Sequence, residues 1–305
     1  MIGVDWGTTH LRAYRIDASG KPLAARVTPE GILSVSPGAF ASTLESVIED
    51  WLELETEGIL LSGMISSRQG WLEVPYVACP ATPTQIASAL KEVTWGNGRR
   101  AFICPGLSCR DLDGVPDVMR GEEVQVFGAL LDLAPESRFI CHPGTHSKHI
   151  EVQGHSIVRF MSFMTGELFA LLRKHSILAR TMVDAGGDWQ AFDAGVARAN
   201  QKCGLLHHLF GARTRVLMGS LSSTSEADYL SGMLIGHEIL AAGTWPEIVV
   251  GAPELTERYR RAFGIFGCNV RVVAGDTAMA AGLRLIWDLA TGRRDTFDDG
   301  KVDPG

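Results

Sequence analysis

"GVDWGTTHLRAYRID", Gly3 through Asp17, sets an acid, a glycine and two threonines in a turn between two apolar runs. Ile2 and Val4 lead into the turn, and Leu11, Ala13, Tyr14 and Ile16 leave it in partly alternating, β-favouring order, so the segment reads as a tight hairpin. Two accounts of the turn stand side by side. In one, Gly7 supplies the turn geometry and Thr8 and Thr9 cap it. In the other, the amides around Gly7 and the two hydroxyls cradle a phosphate, while Asp5 at the strand end faces a metal ion.

Outward from the hairpin, the order of elements repeats. A third strand near Leu23 to Val27 precedes a helix from about Pro37 to Leu54, whose Phe40, Leu44, Val47, Ile48 and Trp51 fall at helical spacing. A strand from Gly58 to Ser62 follows, then a helix opened by Thr82 as N-cap and Pro83, then a strand near Arg100 to Cys104. From Arg138 the pattern restarts with strands Arg138 to His142, Lys148 to Val152 and Ser156 to Phe163. Helices come next, then a strand Ile248 to Gly251, a helix, a strand Asn269 to Val273 and a last helix. "DWGTT" at 5–9 and "HPGTH" at 142–146 lie over each other, Gly7 on Gly144 and Thr8 on Thr145. Two such turns opening two similarly ordered halves point to paired phosphate loops across a cleft. Neither turn carries the lysine of a GxxxxGK[ST] loop or runs into a helix, which excludes a P-loop.

Composition sets the frame. A chain of 305 residues with 46% apolar content can bury two cores. A net charge of −7 and a pI near 5.7 argue against nucleic acid or an anionic membrane surface as partner. A strand that starts at residue 2 leaves no room for a signal peptide, and no apolar run is long enough to span a bilayer, so a cytoplasmic protein is expected. The six cysteines (79, 104, 109, 141, 203, 268) form no CxxC pair and are expected as free, buried thiols. The expected organisation is a first domain over 1–125, a second over 126–290 and a flexible tail over 291–305.

Paired hairpins in duplicated α/β halves resemble the sugar kinase, Hsp70 and actin superfamily, which implies two ribonuclease H-like domains with a nucleotide cleft between them. Within it, the chain resembles the 2-dehydro-3-deoxygalactonokinase family from residue 2 to about 290. The resemblance rests on "DWGTTHLRAY" (5–14), "GMISSRQGW" (63–71), "VMRGEE" (118–123), "PGTHSKHI" (143–150), "MTGEL" (164–168), "LSGMLIGHE" (230–238) and "VAGDTAMAAGL" (273–283). It implies transfer of the γ-phosphoryl of ATP, with Mg²⁺, to the C6 hydroxyl of 2-dehydro-3-deoxy-D-galactonate, a step of galactonate breakdown. His142 and His149 depart from the apolar residue and the Trp expected beside the second loop in that family. Rival readings are another sugar or sugar-acid kinase of this fold, such as one for the gluconate epimer, and a non-kinase ATPase or phosphatase of the superfamily.

Phosphoryl transfer needs charge placed rather than covalent chemistry, so candidate residues sort by role. Gly7, Thr8 and Thr9 would hold one phosphate face, and Gly144, Thr145 and His146 the other, with Lys148 either a further cation or pointing to solvent. Asp5 is a water-mediated Mg²⁺ partner or a cap of its own turn. "RGEEVQVFGALL" opens a helix with Glu122 and Glu123, of which Glu122 is the candidate base and helix-dipole partnership the plain alternative. Ser66, Ser67, Arg68 and Arg120 offer donors to the ketoacid carboxylate, Arg120 by its two-pronged guanidinium or else bound in a salt bridge. In "MTGEL", Thr165 is read as N-cap and Glu167 as a first-turn acid or a substrate or metal contact. Gly251 and Ala252, between a strand and a helix, would let backbone approach adenosine. In "VVAGDTAMAAGL", Asp276 is read as a cap and the small residues as a close-packing helix face. His142, His146 and His149 have no accompanying acid in sequence, so zinc is not expected there. The expected partners are ATP, a 2-keto-3-deoxy sugar acid and a second copy of the chain.

Overall fold

The computed structural model describes residues 1–54, 57–96, 98–111, 113–131, 133, 134, 136 and 138–295. Its first elements are β1 (Ile2–Trp6), β2 (Leu11–Ile16), β3 (Pro22–Thr28), α1 (Phe40–Leu52) and β4 (Ile59–Gly63). After these come β5 (Val77–Ala78), α2 (Pro83–Ser88), β6 (Lys91–Trp95), β7 (Arg99–Ile103), β8 (Leu107–Arg110), β9 (Pro116–Met119) and α3 (Glu122–Leu130). The second series is β10 (Arg138–His142), β11 (Ser147–Gln153), β12 (Ser156–Phe163), α4 (Thr165–His175), α5 (Trp189–Ala199), α6 (Gly204–Leu217) and α7 (Glu226–Ala242). It closes with β13 (Ile248–Gly251), α8 (Pro253–Ile265), β14 (Arg271–Ala274) and α9 (Gly275–Ala290).

The two large sheets carry the same order. One runs β3-β2-β1-β4-β7-β6, the other β12-β11-β10-β13-β14. In the first, β1 pairs antiparallel with β2 and parallel with β4, and β10 pairs parallel with β13 in the second. A third, small sheet, β5-β8-β9, and the strand β6 carry no clear periodic pattern in sequence, because they are short and largely half-buried or exposed.

The chain divides into two compact units. The first gathers 1–137, 151–160 and the segment from Ala274 onward; the second gathers 138–150 and 161–273. This grouping differs from an expected boundary at 125/126, and the reason is packing. In α9, Gly282 and Ala278 let the helix lie against Val124 and Gly128 of α3 so closely that a Cβ on Gly128 or Gly282 would collide with the facing backbone. The small-residue face read from sequence is thus a helix crossing. Of the expected tail, 296–305 lie outside the described residues, while Thr291 Oγ1 donates to the Trp287 carbonyl at 2.8 Å and Arg293 pairs with Glu57.

β1 is buried on both faces and thereby sorts its residues. Ile2, Val4 and Trp6 join one core with Phe40, Leu44, Val47, Ile48 and Trp51 of α1, the helical stripe expected from sequence. The opposite face carries Gly3 and Asp5, and α9 lies over it: a Cβ on Gly3 would stand 2.7 Å from Leu283 Cδ1. Thr82 caps α2 in a full capping box with Gln85. All six cysteines are free, but only Cys104 and Cys141 are buried; Cys203 is exposed, so the expectation of buried thiols holds for two. No helix among the described residues is long and apolar enough to cross a membrane.

Candidate active site

Strand register decides what surrounds Asp5. It lies opposite Arg12 on β2 and beside Ser62 on β4. Arg12 Nη1 stands 3.7 Å from Asp5 Oδ2. Tyr14, opposite Gly3 on the same face, donates to Asp276 Oδ1 at 2.8 Å from the first turn of α9. Burial pushes the Asp5 carboxyl up to about 6; Arg12 opposes the rise, while Glu122 and Asp276 add to it. Ser62 Oγ, beside Asp5, is fully buried and has no hydrogen-bond partner among the described residues.

Two glycines frame that carboxylate. Gly63 and Gly121 hold φ of +93° and +104°, and a Cβ would stand 3.0 Å from Asp5 Oδ1 at the first and 3.6 Å at the second. The left-handed turn at Gly121 launches α3 and separates the two glutamates. Glu123 is 0% exposed and folds back to accept from Gly121 N at 2.9 and 2.8 Å. Burial, then the neighbouring Glu122, pushes its carboxyl up to about 8. Glu122 is half-buried, accepts from Arg120 N at 2.9 Å, and is the member whose charge acts on Asp5.

Arg120 and Ser66 come together as expected, in a built cluster. Arg120 Nη1 donates to Ser66 Oγ at 2.6 Å, Nη2 donates to the Val74 carbonyl at 3.0 Å, and the guanidinium stacks 3.9 Å over Tyr76. Arg120 Nε and Ser67 Oγ are buried atoms without a partner among the described residues. Arg68 is exposed and takes no part in the cluster.

The Gly7 turn is braced from behind and open in front. Ile32 N donates to the Gly7 carbonyl and Leu33 N to the Thr8 carbonyl, whereas Thr8 and Thr9 are exposed. A Cβ on Gly7 would meet nothing nearer than the His10 carbonyl at 3.5 Å. Packing therefore does not require glycine at this position.

In the second unit the Gly144 loop shows the same property, with nothing nearer to a Cβ than His146 O at 3.7 Å. The loop sits on α4: a Cβ on Gly166 would collide with the Gly144 carbonyl, and Glu167 N donates to the Thr145 carbonyl at 2.9 Å. His146 Nε2 lies 2.5 Å from Glu167 Oε2, so Glu167, an acid of the first helical turn, is tied to the Gly144 loop. Thr165 is the first helical residue rather than the cap; the N-cap is Met164, with no side-chain hydrogen bond. Lys148 does not point to solvent: it is buried, its ammonium donating to the His146 carbonyl at 3.2 Å beneath the loop.

Beside Gly144 opens a cavity of about 370 Å³, lined among others by Phe169, Asp228, Ser231, Leu255, Arg258 and Tyr259. Its size suits a small ligand. Gly251 and Ala252 do not line it; Ala252 is the N-cap of α8, with Pro253 after it, so the helix-initiation account explains that stretch. The lining comes instead from α4, α7 and α8, where residues such as Phe169, Asp228 and Arg258 converge from helices far apart in the chain. Asp276 was missed for another reason. Read as a cap, it is in fact within a helix capped by Ala274, and it reaches Tyr14 across 262 residues of sequence. Arg12 is not singled out by the sequence analysis, although a hairpin turning at Thr8 and Thr9 sets it opposite Asp5.

Burial, with smaller contributions from Glu122 and Asp276, raises Asp5, and carboxylate oxygen at this strand end suits a hard divalent cation such as Mg²⁺. The open fronts of Gly7 and Gly144 suit phosphate oxygens. The profile of the 2-keto-3-deoxy-galactonokinase family matches residues 5–286. A 2-dehydro-3-deoxygalactonokinase from Escherichia coli K12 is 36% identical over 290 residues, covering 93% of this chain and 96% of that protein. A crystal structure from Sinorhizobium meliloti, assigned to the same activity, superposes with a TM-score of 0.85 at 34% identity, over 94% of this chain and 98% of that one. An activator of 2-hydroxyisocaproyl-CoA dehydratase from Clostridium difficile, solved with ADPNP, has a TM-score of 0.52 at 12% identity over 96% of each chain. That likeness concerns fold alone.

Proposed function

The chain belongs to the 2-keto-3-deoxy-galactonokinase family, and on that premise we propose that it phosphorylates the C6 hydroxyl of 2-dehydro-3-deoxy-D-galactonate with ATP and Mg²⁺. The observation that carries the chemistry is the group of acids at the end of β1: Asp5, held between Gly63 and Gly121, with Glu122 and Asp276 acting on it. Glu122 takes the proton as the C6 oxygen attacks the γ-phosphorus, and the bond from that phosphorus to the β-phosphate oxygen breaks to release ADP. Asp5 would hold Mg²⁺, directly or through water, with Arg12 restraining the carboxylate. Held there, the ion would supply charge neutralisation on the phosphate oxygens.

Arg120 clamps the substrate carboxylate. Its Nε is buried and unpartnered, Ser66 and Val74 fix its plane, and Tyr76 supports its face, so the guanidinium is held rigid with a donor left unspent. In the second unit, the Gly144–Thr145 turn and Lys148 hold nucleotide phosphate, and the cavity beside Gly144 takes the nucleoside. Work in the cytoplasm fits six free thiols and an ATP-consuming step. A homodimer belongs to the same reading, supported by Leu206, Phe210 and Leu217 exposed along one face of α6; sedimentation of the purified protein checks it.

ADP formation from ATP, measured without acceptor and with a panel of 2-keto-3-deoxy acids and hexoses, tests the function. Slow turnover alone and strong acceleration by 2-dehydro-3-deoxy-D-galactonate are expected. Preference for the gluconate epimer would move the enzyme to the neighbouring kinase activity. Rapid hydrolysis without any acceptor would replace the kinase reading by an ATPase.

A further inference from the structure

Behind the nucleotide cavity, and apart from every residue given a role above except Tyr259 in its wall, lies a buried cluster of unlike ligands. Cys141 on β10, His149 on β11 and Glu238 on α7 are 0%, 2% and 3% exposed. Their ligand atoms converge: His149 Nε2 stands 3.9 Å from Cys141 Sγ and 3.0 Å from Glu238 Oε1, and all three atoms lie within 4.8 Å of one another. We propose that Cys141, His149 and Glu238 form a structural binding site for a zinc-class divalent cation. An ion at the centre of a triangle of that size stands at about the usual zinc distances, roughly 2.0–2.3 Å to sulfur, nitrogen and carboxylate oxygen.

The surroundings are those of ligands held from behind. His149 Nδ1 is 2.9 Å from Thr244 Oγ1; donating to that hydroxyl leaves the Nε2 lone pair aimed at the centre. Glu238 Oε2 accepts from Tyr259 OH at 2.6 Å. Ser147 Oγ lies 2.8 Å from the same phenol oxygen and donates to it, because the one phenolic hydrogen is engaged with Glu238. Phe163 and Phe263 pack edge-on against the imidazole at 5.4 and 6.3 Å, fixing its plane in apolar surroundings.

Charge favours the ion. A dication is balanced by one thiolate and one carboxylate, so the loaded site carries no net charge into the core. Sulfur, imidazole and carboxylate together select zinc over the hard cation that serves phosphoryl transfer. The thiolate rather than the thiol is the ligand, so loading displaces the Cys141 proton. Because Tyr259 bonds Glu238 and lines the cavity, the ion would also set one wall of that cavity. The cluster was invisible in sequence, where His149 stands beside two other histidines with no acid near; the structure instead separates His149 from them and joins it to a cysteine 8 residues before it and a glutamate 89 after.

Metal content tests this without reference to catalysis. Wild-type protein produced with supplementary zinc and passed over a chelating resin is expected to keep about one zinc per chain, and Cys141→Ser less than about a tenth of that. Protein produced with cobalt is expected to show a thiolate-to-cobalt charge-transfer band, absent from Cys141→Ser and unchanged in Cys104→Ser, whose buried thiol lies in the first unit. Zinc well below one per chain in the wild type, or an undiminished content or cobalt band in Cys141→Ser, overturns the site and leaves a metal-free hydrogen-bonded network. Wild-type stoichiometry is decisive even if a variant fails to fold.

Discussion

The turn at Gly7 and the turn at Gly144 share a backbone device and differ in the charge around it. Each presents a glycine whose missing side chain faces open space. Around the first stand carboxylates: Asp5 at the strand end, with Glu122 and Asp276 acting on it. Around the second stand His142 in the place of Asp5, His146 tied to Glu167, and Lys148 buried beneath the loop. Duplication kept what an amide cradle needs, a strand, a glycine and a hydroxyl. On the proposed function, the first unit carries the acids that would handle a cation and a proton, and the second carries the lysine and the cavity that would suit a nucleotide.

The largest effect is expected from breaking what the two turns share. Gly144→Val should lower turnover by roughly 10³-fold, since the side chain fills the space of phosphate oxygens. Its melting temperature should stay near wild type, because no protein atom lies within 3.7 Å of the added Cβ. Gly166→Val is the control that should unfold, its Cβ colliding with the loop backbone. An active, folded Gly144→Val enzyme would remove the second cradle.

Asp5→Asn tests the acidic side of the comparison and should lower kcat by roughly 10²–10³-fold. It should also raise the melting temperature at neutral pH. A carboxyl whose folded value is raised from 3.8 to about 6 favours the fold when protonated, so its contribution declines as pH rises through that window and the amide escapes the loss. Wild-type kcat should fall as pH drops below about 6, where Asp5 takes up a proton. A destabilised Asp5→Asn protein would mean that Arg12 outweighs burial.

Glu122→Gln should reduce kcat by roughly 10²-fold with little change in KM if that carboxylate takes the hydroxyl proton. Glu123→Gln should be nearly silent at pH 7, because an amide mimics the protonated form of an acid whose value lies at about 8. The reverse ranking would move the base by one residue.

Arg120→Ala asks whether the units divide the substrates. It should cost about 10- to 100-fold in kcat/KM for the ketoacid and leave the KM for ATP unchanged, with Arg120→Lys recovering part of the loss. An equal loss toward ATP would end the division of labour.

How much of this was legible can be judged from particular residues. The hairpin, the stripe of α1, the N-cap at Thr82 and the repeat of "DWGTT" in "HPGTH" are set by alternation, helical spacing and turn chemistry within a few residues, and the structure follows them. The candidate site was legible as far as its strand ends and helix start. Which glutamate faces Asp5 was not, because the positive φ of Gly121, rather than the composition of "GEE", swings one inward and one outward.

By itself, then, the sequence determined the duplicated order of strands, the two glycine turns and the family, since each depends on neighbours in the chain or on whole motifs in order. Only the tertiary structure decided that Asp276 bonds Tyr14 and acts on Asp5, that Arg120 stacks on Tyr76, that the cavity is walled by α4, α7 and α8, and that His149 meets Cys141 and Glu238. Those groupings rest on helix packing and strand neighbours far apart in the chain, for which no periodicity within a segment carries information.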